Sequence, residues 1–404
     1  MNDSFGNRLT VTSQAACLFY DKAVDAYLHA WPGVLENIAA AVAQAPDFAL
    51  PHALEALVLA ARGQTAPARA ALERAQACAR QAAPREQSHI GLVGAITEGL
   101  GRDALSQVID HAQRFPGDAL AASTALGAYG LFGFSGRSDH DRARLAFVEA
   151  LAPHYPDELP WLMAHRGWAR IECGQVREGQ AMAQRAITLR PDNGHNAHIV
   201  MHGFFESAEP AAALAFLQAW LPGYASGALM WGHLHWHAAL AEIELGRLDA
   251  AVARLLGPMT DHLTLGPPFM GLVDTVALMW RLGLLGRGDL PWAMAQKHAE
   301  QHLPNGSNVF GELHLCMLAA ARRDRGAALA SLQRLEKINE RGHGGAPAAM
   351  RFAQGLVALV DGDADRAREL FSSCSVDAVC LGGSHAQRAV VEQTRDACRL
   401  PPLQ

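Results

Sequence analysis

The stretch that decides the fold is Trp168-Ala169-Arg170-Ile171-Glu172-Cys173-Gly174-Gln175, followed by an alanine-rich segment from Gly179 to Leu189. The first part is typical of a helix that stops at a glycine. Glycine adopts the left-handed backbone conformation that ends many helices, and the polar residue after it continues a tight turn. Alanine has the highest helix propensity, so the second part predicts another helix. Together they predict a helical hairpin.

The same hairpin pattern recurs along the chain. Other examples run through the segments 57–64 and 68–80, 240–247 and 249–256, and 355–362 and 364–372. The candidate turns are Gly63, Gly101, Gly136, Gly174, Glu209, Gly246, Gly286, Gly326 and Gly362. They lie roughly 35 to 40 residues apart, close to the repeat of about 34 residues of a tetratricopeptide unit.

A single hairpin cannot bury its apolar face alone, so consecutive hairpins must stack into one continuous core. We therefore expect an all-α protein, an α-α superhelix (solenoid) of about nine tetratricopeptide-like helical hairpins. The prediction treats residues 1–404 as one solenoid domain. A short N-terminal arm of about residues 1–14 and a C-terminal tail of about residues 399–404 flank it.

Composition narrows the class of protein. Half of the 404 residues are hydrophobic and the formal net charge is −6, with no basic stripe, so we expect no nucleic-acid partner. No apolar run approaches the length of a membrane span, and the N-terminus lacks a secretion signal. The seven cysteines are scattered and form no CxxC pair, which predicts reduced thiols in a cytoplasmic protein.

Histidines are concentrated in two stretches of the chain. His198 and His202 are four residues apart, and so are His233 and His237 in the run Trp231-Gly232-His233-Leu234-His235-Trp236-His237. Residues four apart lie on one face of a helix. Imidazole is costly to bury without partners, so two such pairs in apolar surroundings indicate a pocket. His235 has a different helical phase and is expected to point away from its pair.

The repeat pattern predicts where these side chains lie. The two histidine pairs, His165, Asp274 and His314 all lie in first helices, 7 to 13 residues before the turn position and thus within a window of about two turns. First helices of stacked hairpins line the concave side of a solenoid. We therefore expect these residues to converge on one concave patch. The tryptophans expected to wall it are Trp161, Trp168, Trp231, Trp236 and Trp280.

Several motifs, in this order along the chain, resemble the tetratricopeptide repeat protein 38 family. They are Ala45-Pro46-Asp47-Phe48-Ala49, His198-Ile199-Val200-Met201-His202, His233-Leu234-His235-Trp236-His237, the segment from Val273 to Leu282, Phe310-Gly311-Glu312-Leu313-His314, and the segment from Leu381 to Arg388. The resemblance covers about residues 20 to 398. It implies a tetratricopeptide-like solenoid and a site, but no particular reaction.

The sequence departs from the family pattern near the expected site. Phe205 stands where the family tends to have an acidic residue, with Glu206 one position later. His235 replaces the first tryptophan of the second histidine run, and Ala389 and Val390 stand where the family has an aspartate. These changes indicate an altered or specialised ligand.

The main functional hypothesis is recognition of a small polar molecule or a short peptide, with His-dependent acid–base turnover of the hydrolase or lyase type as an extension. The candidate catalytic residues are His202, His237 and Asp274, the aspartate orienting an imidazole. The candidate ligand-binding residues are His198, His233, Trp236, His314, Gln387, Arg388 and Glu206. Arg388 suits planar oxygen acceptors, and Ser384 is expected to cap its helix.

Three alternatives stay open at this point. The histidines could be structural, each satisfied by a neighbouring helix. No cofactor is predicted, but a divalent transition metal could bind His198, His202, His233 and His237. The chain could also be a protein–protein interaction scaffold, and a homo-oligomer is compatible with the pattern.

Overall fold

A computed structural model gives the structure of this chain and describes residues 1–99, 101–304 and 306–399. Over these residues the secondary structure is helical, and extended backbone pairs only at one isolated bridge between Asn2 and Arg8. The prediction of an all-α protein is therefore confirmed. The predicted C-terminal tail lies outside the described residues, apart from position 399, where the last helix ends.

The contacts divide the chain into two compact units. The first unit contains residues 1–132, 141–207 and 222–230. Its helices are α1 (Gln14–Leu28), α2 (Val34–Gln44), α3 (Ala49–Ala61), α4 (Thr65–Cys78), α5 (Pro84–Thr97), α6 (Gly101–Arg114), α7 (Ala119–Ser123), α8 (His140–Leu151), α9 (Pro160–Glu172), α10 (Val176–Leu189) and α11 (Gly194–Glu206). Short 3-10 turns follow α4 and α8, at Ala79–Gln81 and Ala152–His154.

The second unit contains residues 133–140, 208–221 and the described residues from 231 onward. Its helices are α12 (Pro210–Trp220), α13 (Trp231–Glu244), α14 (Leu248–Leu256), α15 (Pro258–Leu265), α16 (Pro268–Leu284), α17 (Trp292–His302), α18 (Val309–Ala321), α19 (Arg325–Glu340), α20 (Ala346–Val360), α21 (Ala364–Ser372) and α22 (His385–Arg399). The 3-10 turn of this unit is Ser375–Leu381, and a further one, Leu221–Gly223, begins at its residue 221.

Helices that follow one another in the chain pack as pairs, among them α3 with α4, α9 with α10, and α18 with α19. The α9–α10 pair is the hairpin singled out in the sequence. Its two helices touch backbone to backbone, because a Cβ atom added at Gly167 would lie 2.8 Å from the carbonyl oxygen of Gly179. Glycine at both positions therefore sets the close approach of this hairpin.

One hydrogen-bonded turn ends the first helix of several hairpins. At the end of α9, the N–H of Gly174 donates to Ile171 O and the N–H of Gln175 donates to Arg170 O, both at 2.9 Å. Gly174 has a φ of +83°, as this capping motif requires. In the second unit the equivalent left-handed residues are Gly246, Gly286, Arg323 and Gly362, which recur every 37 to 40 residues. The predicted repeat length is present in the turns themselves.

Four turn positions differ from the sequence prediction. Gly136 is left-handed but lies in the irregular segment between α7 and α8, so it ends no helix. Gly99, not Gly101, has the left-handed conformation, and Gly101 begins α6. Ala208 takes the place expected of Glu209, with a φ of +53°, and Arg323 takes the place expected of Gly326, with a φ of +55°. The helices end a little earlier than the glycine pattern indicates, so two turns use residues with a side chain.

The predicted N-terminal arm is ordered against the first unit. The Asp3 carboxylate accepts hydrogen bonds from the backbone N–H groups of Phe5 and Asn7 at 3.0 and 2.8 Å. The Asn7 side chain in turn donates to Gly117 O at 2.9 Å, and Leu9 is buried in the core. Across the described helices, none combines the length and apolar character that crossing a bilayer demands.

Replacing Arg323 by glycine should stabilise the protein. A residue with a Cβ pays ~1–2 kcal/mol in the left-handed conformation, partly offset because glycine gains more freedom in the unfolded chain. Arg323 is exposed, so little contact is lost. We expect about 0.5–1 kcal/mol of added unfolding free energy, measured by urea denaturation. Gly362→Ala, at the equivalent turn after α20, should have the opposite effect, and a destabilised Arg323→Gly protein would refute this explanation.

Candidate functional site

The first histidine pair lies on α11, as predicted. The Asn193 side chain accepts a hydrogen bond from Asn196 N at 3.0 Å and so caps the start of this helix. One turn and two turns further on, the side chains of His198 and His202 meet, with their Nε2 atoms 2.9 Å apart. At that distance one nitrogen carries a proton and the other accepts it. One imidazole therefore donates its Nε2–H to the Nε2 of the other.

A buried carboxylate extends this pair. Glu172 is the last residue of α9, and its Oε1 lies 3.1 Å from His202 Nδ1, with both side chains fully buried. The indole N–H of Trp168 donates to the same oxygen at 3.3 Å. Glu172 and His198 therefore lie beside opposite ring nitrogens of His202, at 3.1 and 2.9 Å.

Trp168 packs on the two imidazoles, and Arg144 packs on Trp168. The Trp168 ring packs 5.5 Å from the His202 ring and 5.8 Å from the His198 ring, measured between centroids. The guanidinium of Arg144 lies 4.4 Å from the Trp168 ring, in the range of a cation–π contact. Arg144 is itself buried and lies 3.2 Å from Asp141. Because these side chains are buried, the effective dielectric constant around them is low and interactions between charges are stronger than in water.

Sequence reasoning missed Glu172 and Arg144. The spacing of four residues between Trp168 and Glu172 places both on one face of a first helix, and this spacing is the sequence feature that could have indicated Glu172. The predicted Glu206 ends α11 and is half-buried, four residues after His202. Its predicted ligand-binding role stays a prediction.

The second unit contains a second carboxylate–imidazole pair. His233 on α13 donates from Nδ1 to Asp274 Oδ2 on α16 at 2.8 Å, and both side chains are buried. Asp274, which the sequence predicts to orient an imidazole, has His233 as its hydrogen-bond partner. The His262 Nε2 atom lies 3.8 Å from the same carboxylate oxygen.

His262 on α15 is a further residue that sequence reasoning missed. Gly232 allows its approach, because a Cβ at this position would overlap the His262 ring. The glycine in the run Trp231-Gly232-His233 is therefore a packing requirement of the site. A lone histidine far along the chain offers no local signal of this contact.

Aromatic contacts fix the remaining rings of α13. The His233 ring stacks on Trp236 with centroids 5.2 Å apart and planes 12° apart, and the His237 ring meets His233 edge-on at 4.9 Å. Arg281 lies 5.5 Å from the Trp236 ring. The structure therefore brings His233, Trp236, His237 and Asp274 together in the second unit.

His235 points elsewhere, as its helical phase indicates. Its Nδ1 lies 3.0 Å from Arg254 Nη1, and Arg254 also donates to Glu242 at 2.8 Å. The ring packs 4.5 Å from that of Trp231. This side of α13 is a separate polar contact with α14.

The other predicted ligand-binding residues make backbone contacts. His314 on α18 donates from Nδ1 to Phe310 O at 2.7 Å. Ser384 and Gln387 form a reciprocal cap at the start of α22, with Ser384 N donating to Gln387 Oε1 at 2.9 Å and Gln387 N to Ser384 Oγ at 3.3 Å. Arg388 donates to Gly383 O. The capping role expected of Ser384 is present, and the ligand-binding roles of the other three stay predictions.

Two open grooves of the first unit have volumes of about 630 and 700 Å³. They share Pro46, Ala77 and Cys78 in their walls, and neither is lined by His198 or His202. Both imidazoles of that pair are at most 1 % exposed, so a ligand would need an internal cavity or local opening to reach them.

Comparison with protein-family models gives no match to this sequence. The resemblance drawn from the motifs therefore rests on the residues alone.

Burial should make the protein sensitive to mild acid. Desolvation lowers the pKa of His314 from 6.5 to about 4, and likewise that of His262, where Asp274 partly opposes it. The unfolded chain then binds more protons than the folded one between these values. Stability is therefore lost as pH falls from about 6.5 toward 4 and levels off below that.

We expect unfolding free energy to drop by about 2 kcal/mol per such histidine between pH 7 and pH 5. His314→Leu removes one titrating group and should flatten the dependence by that amount, whereas the exposed His154→Leu should not. Urea denaturation at both pH values measures the slopes. Equal slopes for wild type and His314→Leu would show that His314 does not contribute.

Proposed function

We propose that this protein is a tetratricopeptide-like α-solenoid that binds a small polar molecule at its buried histidines and performs acid–base chemistry on it. The observation that carries the proposal is the chain of contacts from Glu172 through His202 to His198. Paired helices and left-handed turns every 37 to 40 residues support the repeat architecture. The motifs similar to the tetratricopeptide repeat protein 38 family support it too.

Glu172 and His202 have the arrangement of an orienting carboxylate and a general base. A carboxylate near Nδ1 keeps the proton on that nitrogen and stabilises the imidazolium that forms when Nε2 takes up a second proton. His198 lies at Nε2 and would pass the proton on. In this proposal His202 is the catalytic base, Glu172 and His198 are its positioning and relay residues, and Trp168 excludes water.

Asp274 would do the same for His233 in the second unit. The contact of 2.8 Å makes His233 the imidazole that Asp274 would orient, so His233 joins His237 as a candidate acid–base residue. The stacked Trp236 ring would hold the imidazole in place. The convergence of both histidine pairs on one surface stays a prediction.

The cellular location is part of the proposal. All seven cysteines lie in the described residues and none is in a disulfide, which supports a reducing compartment such as the cytoplasm. The alternatives, a protein–protein scaffold and a metal bound by the predicted histidines, are outcomes of the tests below.

Turnover should depend on His202 and Glu172. We would assay untagged protein with p-nitrophenyl acetate and p-nitrophenyl phosphate, and record thermal shifts with small carboxylic acids and amides. His202→Asn should lower any turnover by a factor of ~10² or more, because general base catalysis contributes that much. Glu172→Gln keeps the shape and should lower the rate less while moving the pH optimum.

His154→Asn is the matched control, because His154 is exposed in the same unit and should leave rate and binding unchanged. No turnover and no thermal shift with any of these compounds, together with capture of one protein partner unaffected by His202→Asn, would overturn the proposal in favour of a scaffold. Loss of activity on chelation, restored by a transition metal, would favour the metal-dependent alternative.

A further inference from the structure

We propose that His89, His111 and Asp118 form a binding site for a divalent transition metal ion in the first unit. This site is separate from the histidine pairs discussed above. One ligand atom from each of the three residues lies within 4.8 Å of the others, and all three side chains are buried. Nothing in the sequence marks these residues, which are isolated from one another along the chain.

Three consecutive helices bring the residues together. His89 lies on α5, His111 lies on α6, and Asp118 caps the start of α7. Asp118 Oδ1 accepts from Ala121 N at 3.2 Å, which fixes the carboxylate and turns Oδ2 toward the two rings. Helices α5 and α6 pack on each other, as do α6 and α7, so the three ligands are held by the fold and not by a loop.

The distances match a coordination shell. Asp118 Oδ2 lies 3.0 Å from His89 Nδ1 and 3.3 Å from His111 Nε2. Two ligands bonded to one zinc ion at ~2.0–2.1 Å stand about 2.9 to 3.4 Å apart for angles between 90° and tetrahedral. An ion could therefore sit among the three atoms with little rearrangement.

The surroundings of the His111 imidazole also fit. His111 Nδ1 has a partner at 2.9 Å in Ser88 Oγ, as is usual for the second nitrogen of a metal-bound histidine. In His89 the nitrogen beside Asp118 is Nδ1, so Nδ1 would bind the ion.

Arg85 also contacts the carboxylate, with its Nη1 2.5 Å from Asp118 Oδ2. Ligating carboxylates commonly have such an outer hydrogen-bond partner, and Arg85 would keep that role beside the bound ion.

Two nitrogens and one oxygen are a ligand set for zinc and its neighbours in the first transition series. Because the ligands come from three successive helices, the bound ion would link α5, α6 and α7. Its binding free energy would then add to the stability of this part of the fold.

The test uses the untagged full chain, stripped with a chelator and titrated with Zn²⁺ and with Co²⁺ alone. We expect one equivalent to bind at this site, a rise in Tm, and a visible Co²⁺ absorption band. His111→Asn should bind one equivalent fewer than wild type, and His154→Asn, an exposed histidine of the same unit, should bind as wild type does.

Ser88→Ala keeps all three ligands and is the second variant, in case His111→Asn fails to fold. It should retain the fold by circular dichroism yet weaken metal affinity by ~10- to 100-fold, as loss of an outer partner usually does. The proposal is overturned if His111→Asn and wild type bind equal amounts of metal. It is also overturned if nitrogen NMR of the titrated wild type shows both rings as imidazolium without bound metal. Either result would identify the cluster as a proton-bridged structural network.

Discussion

The capped left-handed turn that ends several of the first helices is the constraint on which the rest of the structure depends. In α9 it stops the helix at Glu172, through hydrogen bonds from Gly174 and Gln175 to the last carbonyl groups. Stopping one residue later would rotate the exit of the chain about the axis of α9 by about 100°. The turn therefore decides the direction in which the chain leaves α9 and how α10 packs on it.

Close helix packing converts that local geometry into contacts between distant residues. Gly167 and Gly179 let α9 and α10 touch through their backbones, and Gly232 lets His262 reach α13. In each case glycine has no Cβ, and a side chain at that position would hold the two elements apart. Such contacts leave no room for water, so the polar groups nearby must find partners within the protein.

The buried clusters solve that problem in the same way. Each sets a carboxylate against imidazole: Glu172 against His202, Asp274 against His233, and Asp118 against His89 and His111. An ionised carboxylate offsets the cost of burying a ring that can carry a proton. The same pairing that stabilises the interior is the pairing that proton transfer and metal binding use, which is why structural and functional roles converge on these residues.

Local periodicity in the sequence predicts several features of the fold and of the candidate site. The all-α class, the hairpin at 168–189, the facing of His198 and His202, and the different helical phase of His235 follow from interactions within a few residues. Such local interactions can be inferred from the order of the residues in the sequence. The turns at Ala208 and Arg323 were harder to find, because they depart from the glycine rule.

The carboxylate partners were decided only by the tertiary structure. Glu172 lies thirty positions before His202, and Asp274 forty-one after His233. His89, His111 and Asp118 share no spacing that marks a site. Their meeting depends on where each helix stops and how closely the next one packs. Those are properties of backbone geometry and of glycine contacts between helices, which no periodicity in a single sequence records.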